Sequence, residues 1–392
     1  MKFWTGIALF AWVLPALAES RPVPPELPPT PAARAWIEQD PAVQEARAAL
    51  IAAGHGANML AAGSYEWATR LTMQRRSYDT GGPNSKEWNA QLERPIRING
   101  KAELDRQLGE VEKQAAQARV GEAIHEAARS LLDLWVDGLS ATQTQQLFQE
   151  QLSFARQNLK AVESRKRAGD ASSLDVSVAT ADAADVERQA NAAASTLAKA
   201  RATLRVRFPG AQLPAQALGE PNASLEPEAQ WLQRVLDASD PLKVAQGALQ
   251  KAELTASRAS ADRVPDPTVG VFAASESHER MRQALQEVES ARAAVDRQRR
   301  DLETSVAQTY ADATSGMERW RIAQQGALAT SESARLTQRA YSLGEADLQA
   351  LLLARRQFLD ASRAALEARA EALRAQYRLL VDSHLIWDLA LD

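Results

Sequence analysis

The sequence predicts a mainly α protein built from long antiparallel helices, with a small β part. Composition is the first observation, because aromatic residues make up only 5% of the 392 residues while charged residues make up 24%. Bulky side chains for a wide globular core are therefore scarce. The second observation is an unbroken helical pattern over residues 101–168, and the third is a pair of segments with alternating apolar and polar residues.

The first 18 residues are typical of a secretory signal peptide. Lys2 precedes an apolar run from Phe3 to Leu14, and small residues lead to an expected cleavage site after Ala18. No later run reaches the roughly 20 apolar residues that a membrane-spanning helix needs. The absence of cysteine excludes disulfides and thiolate metal sites. The proline-rich lead that follows, residues 19–34, favours extended backbone.

Seams of apolar residues spaced alternately by four and three indicate helices that pack in pairs. One seam runs from Ala127 to Val162, and a second runs from Val176 to Leu204. The second half of the chain has a seam that falls every seven residues, at Leu359, Leu366, Leu373 and Leu380. These patterns predict two long helical hairpins.

The two halves are predicted to be copies of one unit. A linker at residues 211–228 separates a first repeat, residues 35–210, from a second repeat, residues 229–392. Asp40 and Asp240 each stand before a proline that opens an amphipathic helix. Matching helix starts at matching places favour an internal duplication.

Each predicted helical hairpin contains one break, in which a glycine is followed by an acidic residue. The breaks lie near residues 169–175 and 342–348. Glycine adopts the left-handed conformation that ends a helix, and a carboxylate favours the start of the next one. Both segments are therefore predicted to be the tips of the hairpins.

A β-hairpin is predicted at about residues 65–94, because apolar residues alternate with polar residues on both sides of a turn at residues 81–84. This alternation is expected for the wall of an outer-membrane β-barrel. In that setting the membrane-interface aromatics would be Tyr65, Trp67 and Trp88. A soluble strand with one buried face gives the same alternation.

The sequence contains no motif of an enzyme. Phosphate-binding, nucleophile-elbow and zinc-hydrolase patterns are absent, and the four histidines are expected to lie apart, at His55, His125, His278 and His384. Glu122 and His125 have the spacing of a carboxylate-bridged metal site, but a second such pair is missing, which favours a solvated helix face. We expect no catalytic residue, no metal and no cofactor. The net charge of −4 argues against a nucleic-acid partner.

Two halves that each run helix, strand pair, long helix, glycine-acid turn and returning helix resemble the TolC-like outer-membrane efflux family. The similarity covers nearly all of the mature chain. Its most specific parts are the two turns, residues 167–175 and 341–348, and the residues Asp266 to Val269, which open a second strand region at about 266–275. The spacing and the absence of cysteine are most similar to the heavy-metal (cobalt-zinc-cadmium) branch.

The resemblance implies a homotrimer that contacts outer-membrane lipid and has most of its chain in the periplasm. Such a trimer is the exit duct of a tripartite efflux system for small solutes, heavy-metal cations in that branch, and works with a periplasmic adaptor and an inner-membrane pump. The residues implied to form the adaptor-docking tip are Gly169, Leu174, Gly344 and Leu348. Those implied to place negative charge near the aperture are Asp170, Asp175, Glu345 and Asp347.

The second repeat departs from the family pattern. Gly169 follows Asp40 by 129 residues, whereas Gly344 follows Asp240 by 104. The missing residues correspond to the turn and second strand of the hairpin, so we predict fewer barrel strands than the family norm. Two alternatives remain open: a soluble periplasmic coiled-coil scaffold or adaptor, and a shortened, non-functional family member.

Overall fold

The computed structural model describes residues 21–63, 68–76, 85–93, 96–215, 217–222, 224–267 and 279–389. These residues form a mainly helical fold, as the sequence predicts. In chain order the elements are α1 (Thr30–Glu38), α2 (Pro41–Ala62), β1 (Ala68–Arg76), β2 (Ser85–Glu93), α3 (Lys101–Ala168), α4 (Ser173–Arg207), α5 (Glu228–Ala238), α6 (Asp240–Ala261), α7 (Glu279–Leu343) and α8 (Leu348–Asp382). The predicted signal peptide with Ala18, the aromatics Tyr65 and Trp67, and most of the second strand region lie outside the described residues.

The helices occur in pairs of similar length. Helices α2 and α6 have 22 residues each, α4 and α8 have 35 each, and α3 and α7 have 68 and 65. The connections are unequal, because residues 63–100 join α2 to α3 whereas only residues 262–278 join α6 to α7. Most of the length difference between the halves therefore lies in the connection where the sequence predicts the lost strand.

Strands β1 and β2 form an antiparallel pair within the predicted hairpin region. The register runs from Ala68 opposite Glu93 to Arg76 opposite Ser85. The part of the chain that the structure describes contains this one pair of strands, so the further strands of the expected barrel are not seen in it.

Long helices lie side by side in two rows. In the first row α2 packs on α3, α3 on α6, and α6 on α7. In the second row α4 packs on α3, α3 on α8, and α8 on α7. Helix α3 is about 100 Å long at 1.5 Å per residue, so it takes part in both rows. Helices α4 and α7 are the outer members of the second row.

None of the helices among the described residues has an apolar stretch that is long enough to cross a lipid bilayer.

The largest apolar cluster lies where the N-terminal lead and the segment after α8 meet the middle of α3 and the C-terminal part of α8. It contains Leu131 and Leu132 of α3, Leu373 of α8, and Trp387 near the C-terminus. Four tryptophans are buried and act as core residues: Trp135, Trp231, Trp320 and Trp387.

The proline-rich lead is less extended than the sequence predicts. Helix α1 begins at Thr30, inside the predicted extended segment, because Pro31 occupies the first turn, where its missing N–H has no partner to lose. The residues before it are held by the core, since Trp135 Nε1 donates to the Glu26 carbonyl (2.8 Å) and Trp387 Nε1 to the Pro28 carbonyl (3.2 Å). The lead is thus part of the folded body.

A buried ion cluster joins the start of α3 to the chain that follows α6. Lys101, only 2% exposed, donates from Nζ to the Val264 carbonyl (2.7 Å) and to Asp266 Oδ1 (3.0 Å). The backbone N–H of Ile98 donates to the same carboxylate oxygen (3.1 Å). Because a buried charge is tolerated only when it is paired, this cluster fixes the two halves against each other beside the β-hairpin.

Replacing Lys101 by methionine should destabilise the protein by about 3 kcal/mol, because the mostly buried Asp266 carboxylate loses its main cationic partner. Thermal unfolding followed by circular dichroism would measure the effect. Lys113→Met, at an exposed position of the same helix, is the matched control and should change stability little. Equal melting temperatures for the two variants would contradict this account.

Candidate functional site: the two hairpin turns

The turn between α3 and α4 is built on Gly169. This glycine has φ of +89°, and its N–H donates to the Lys166 carbonyl (3.1 Å). The N–H of Asp170 donates further back, to the Arg165 carbonyl (2.9 Å). These bonds satisfy carbonyls at the end of α3 and reverse the chain, which is the usual role of a left-handed glycine at a helix C-terminus.

The turn between α7 and α8 repeats this geometry on Gly344. Its φ is +79°, its N–H donates to the Tyr341 carbonyl (3.1 Å), and the N–H of Glu345 donates to the Ala340 carbonyl (2.9 Å). Both predicted tips are therefore tight turns of the same type, 175 positions apart in the chain.

Two of the four predicted aperture acids cap the returning helices. Ser172 and Asp175 form a capping box at the start of α4, in which the Ser172 N–H and hydroxyl both donate to Asp175 Oδ2 (2.8 Å each). These bonds, the backbone bond first, lower the pKa of Asp175. Asp347 Oδ1 accepts from the Ala350 N–H (2.7 Å) at the start of α8. Both carboxylates thus have a structural task.

The other two predicted aperture acids, Asp170 and Glu345, are exposed, but the charges around them differ. Arg165, Lys166 and Arg167 occupy the last turn of α3, beside Asp170. The last turn of α7 contains no basic residue. The α3–α4 turn is therefore of mixed charge, and the α7–α8 turn is acidic.

The residues predicted to form the docking tip differ in accessibility. Leu174 is 65% exposed, whereas Leu348 is only 6% exposed. The neighbouring Leu343, which was not among the predicted residues, is 64% exposed. Leu348 packs with Val162, Ala179 and Leu351 in one apolar cluster, which ties the two hairpins together just behind the turns. The side chain of Leu348 is therefore a support inside the tip, and Leu174 and Leu343 supply its exposed apolar surface.

A groove of about 620 Å³ runs between the hairpins behind the turns. The Arg165 guanidinium lies over the Tyr341 ring (5.1 Å), and that of Arg355 lies over the ring of Phe154 (5.0 Å), which is 45% exposed. Burial lowers the pKa of Arg355, although Asp182 opposes the shift. Aromatic faces flanked by arginines suit contacts with another protein surface.

The exposed residues of the two turns are acidic, basic and apolar. No group of three or more ligand residues suited to a metal ion occurs in the part of the chain that the structure describes. Of the predicted membrane-interface aromatics, Trp88 lies in β2 opposite Met73.

The prediction that the histidines lie apart is wrong for two of them. His125 Nδ1 lies 3.1 Å from His384 Nε2, although the residues are 259 positions apart. The predicted solvated position of His125 is also wrong, because its side chain is 13% exposed and contacts Asp382. No sequence signal marks this contact, because it depends on how the end of α8 meets α3.

Comparison with known proteins shows the fold. No protein-family model and no curated protein matches the sequence. Among solved structures, the outer membrane protein VceC of Vibrio cholerae has a TM-score of 0.73 at 16% identity, covering 90% of this chain and 95% of that one. The Campylobacter jejuni CmeC outer membrane channel has a TM-score of 0.70 at 12% identity, covering 92% and 86%.

A third neighbour is the open state of the Neisseria gonorrhoeae MtrE outer membrane channel, with a TM-score of 0.66 at 18% identity, covering 92% of this chain and 90% of that one. All three alignments span nearly the whole of both chains. The chain therefore has the fold of these outer-membrane proteins, including its paired long helices. At identities of 12% to 18% this likeness shows the fold alone.

Replacing Gly344 by alanine should destabilise the protein by about 1 kcal/mol, because alanine is strained at φ of +79° although no atom lies within 4 Å of the new methyl group. Gly326, in the interior of α7, also has open space around it. Gly326→Ala should therefore stabilise by about 1 kcal/mol through helix propensity. Unfolding of the two variants should shift in opposite directions, and shifts of the same sign would contradict the turn assignment.

Proposed function

We propose that this protein is the outer-membrane exit duct of an efflux system, formed when copies of the chain close into a ring of helices around a tunnel. The observation that carries the proposal is an exposed apolar stripe on α7, which is one of the two outer helices of the second row. The duct makes and breaks no bond, and it supplies a path for small solutes.

The stripe on α7 repeats every seven residues. Ile322, Leu336 and Leu343 are 57%, 51% and 64% exposed, and Ala329, at the intervening position, is also exposed. A seven-residue apolar repeat is the pattern of a helix that packs along another helix. Helix α8 already packs on a different face of α7, so the stripe is free for a second partner.

The partner that fits the stripe is another copy of the same chain. Helix α4, at the opposite end of the row, has 35 residues and is long enough to cover the stripe. Within the described chain it packs mainly on α3. Contact between α7 of one copy and α4 of the next is head-to-tail, and such contacts close into rings when the rotation allows. Three copies are what the resemblance to the TolC-like family implies.

The β-hairpin and the turns give the duct its two ends. We propose that the β1–β2 hairpin enters outer-membrane lipid, with its copies as partners, while the helices extend through the periplasm to the turns. Likeness in fold to outer-membrane channels supports this orientation. The lead and signal peptide are consistent with export.

The turns are proposed to meet a periplasmic adaptor that is linked to an inner-membrane pump. Leu174 provides an exposed apolar contact, and Gly169 and Gly344 keep the two turns tight. The arginine-flanked groove at Phe154 and Tyr341 would receive the side of an adaptor helix. Leu348 contributes by holding the hairpins together.

The solutes proposed are small ions and molecules, and the acidic α7–α8 turn favours cations. Heavy-metal cations fit the branch that the sequence resembles most. The competing proposal is a soluble helical scaffold, which the short α6–α7 connection favours because it leaves little chain for further strands.

The test of the duct is membrane fractionation of the expressed protein, followed by native mass measurement in detergent. We expect the protein in the outer membrane as a trimer. Leu336→Glu should release monomers, because it places a charge in the centre of the proposed interface. Ser331→Glu, exposed on a different face of α7, is the control and should leave the trimer intact. A soluble monomeric wild type would support the scaffold instead.

Conductance of the reconstituted trimer tests the aperture. Glu345→Gln should lower the preference for cations over anions, because it removes an exposed negative charge that follows a helix end without a basic residue in its last turn. Asp170→Asn should change it less, since three basic residues of α3 lie beside that acid. The control is Asp312→Asn, exposed on α7 far from the turns. Unchanged ion selectivity in Glu345→Gln would reject an aperture at this turn.

A further inference from the structure

The contact between His125 and His384 belongs to a short chain of hydrogen-bonding groups. His125 Nε2 lies 3.2 Å from Asp382 Oδ1, and Arg129 Nε donates to the same oxygen (2.8 Å). On its other side, His125 Nδ1 faces His384 Nε2 at 3.1 Å. The series of hydrogen-bonding groups therefore runs from the Asp382 carboxylate through His125 to His384, across the junction of α3 with the end of α8.

The facing ring nitrogens can form a hydrogen bond when one of them carries a hydrogen and the other does not. When both imidazoles are neutral, His125 can donate from Nε2 to Asp382 and accept at Nδ1 from His384 Nε2. Protonating both rings places two N–H groups against each other at 3.1 Å. The geometry therefore holds only while at least one ring is neutral.

The helices packed around the pair together contribute charges of both signs. From α3 these are Glu122, Glu126 and Arg129, and from α8 they are Arg378 and Asp382. From α5, α6 and α7 they are Asp237, Asp240, Lys243 and Asp301.

Burial and the neighbouring His125 lower the pKa of His384 to about 4. Asp382 remains a carboxylate, because hydrogen bonds from His125 and Arg129 lower its pKa against the opposing effect of its burial. The balance of these groups thus keeps His384 neutral near pH 7.

His384 belongs to the C-terminal segment, residues 383–389, which is hydrogen-bonded to the N-terminal lead. The Leu385 N–H donates to the Leu380 carbonyl (2.9 Å), and the Leu385 carbonyl accepts from the Arg21 N–H (3.1 Å). His384, Trp387 and Asp388 have positive φ angles of 55°, 65° and 48°. Non-glycine residues keep such angles only where their surroundings hold them, so this segment depends on its contacts.

We propose that the His125–His384 pair is an acid-sensitive latch, which holds the C-terminal segment and the N-terminal lead in place while neutral and releases both when the two rings are protonated. The proposal rests on contacts within one chain. It therefore stands or falls independently of the duct function.

The direction of the pH dependence follows from linkage. His384 has a pKa of about 4 in the folded protein, against an ordinary value of 6.5 when released. A group with a depressed folded pKa contributes stability that is complete above the released pKa and is lost as the pH falls toward the folded value. The latch should therefore loosen between about pH 6.5 and 4.

Hydrogen–deuterium exchange of the purified full-length protein at pH 7.5 and 4.5, corrected for intrinsic exchange rates, tests the latch. The peptide that contains the Leu385 amide should open roughly fifty-fold more often at pH 4.5, while amides in the middle of α3 stay protected. His384→Asn should abolish this response, since asparagine tolerates positive φ but does not titrate. His55→Asn, at an exposed histidine of α2, should respond as the wild type does.

Three outcomes would overturn the latch: equal protection of the wild-type segment at both pH values, the same loss in His384→Asn as in the wild type, or exchange of α3 amides in step with the segment, which indicates global acid unfolding. The first and third are read from the wild type alone. The test therefore remains decisive even if the His384 variant does not fold.

Discussion

Close packing of long helices on small side chains is the constraint on which the rest of this structure depends. Alanines of α4 such as Ala183 and Ala190 are buried where bulky residues would separate the helices. At Gly109 of α3 an added methyl group would lie 2.8 Å from the Cα of Ala57 in α2, so only glycine permits that approach. The row of helices is thin because its seams are small, which explains the low aromatic content.

Helical periodicity predicted the elements that depend on local sequence. The limits of α3 match the predicted helical stretch of residues 101–168, and the two glycine turns lie where the breaks in the pattern occur. The buried position of Leu348 was missed, although a signal for it exists. Leu352 precedes Leu359 by seven residues, and Leu348 lies four residues further back, so the apolar seam of α8 extends to the turn.

Contacts between distant parts of the chain could not be predicted in the same way. Lys101 meets Asp266, and His125 meets His384, only because particular faces of separate helices are turned toward one another. A single sequence specifies which face of a helix is apolar, but the polar residues at the margins of that face have no period of their own. The ion cluster beside the hairpin and the histidine pair both lie at such margins.

In the proposed ring, α7 of each protomer contacts α4 of the next. Every protomer would therefore act as a wedge with unlike sides. The number of protomers in the ring and the diameter of the pore follow from the angle between those sides. Tighter binding between protomers would not alter that angle. Substitutions that enlarge a seam residue on the inner or outer surface of the row would change that angle. Pore width could then evolve through packing in the protomer, with the edge contacts unchanged.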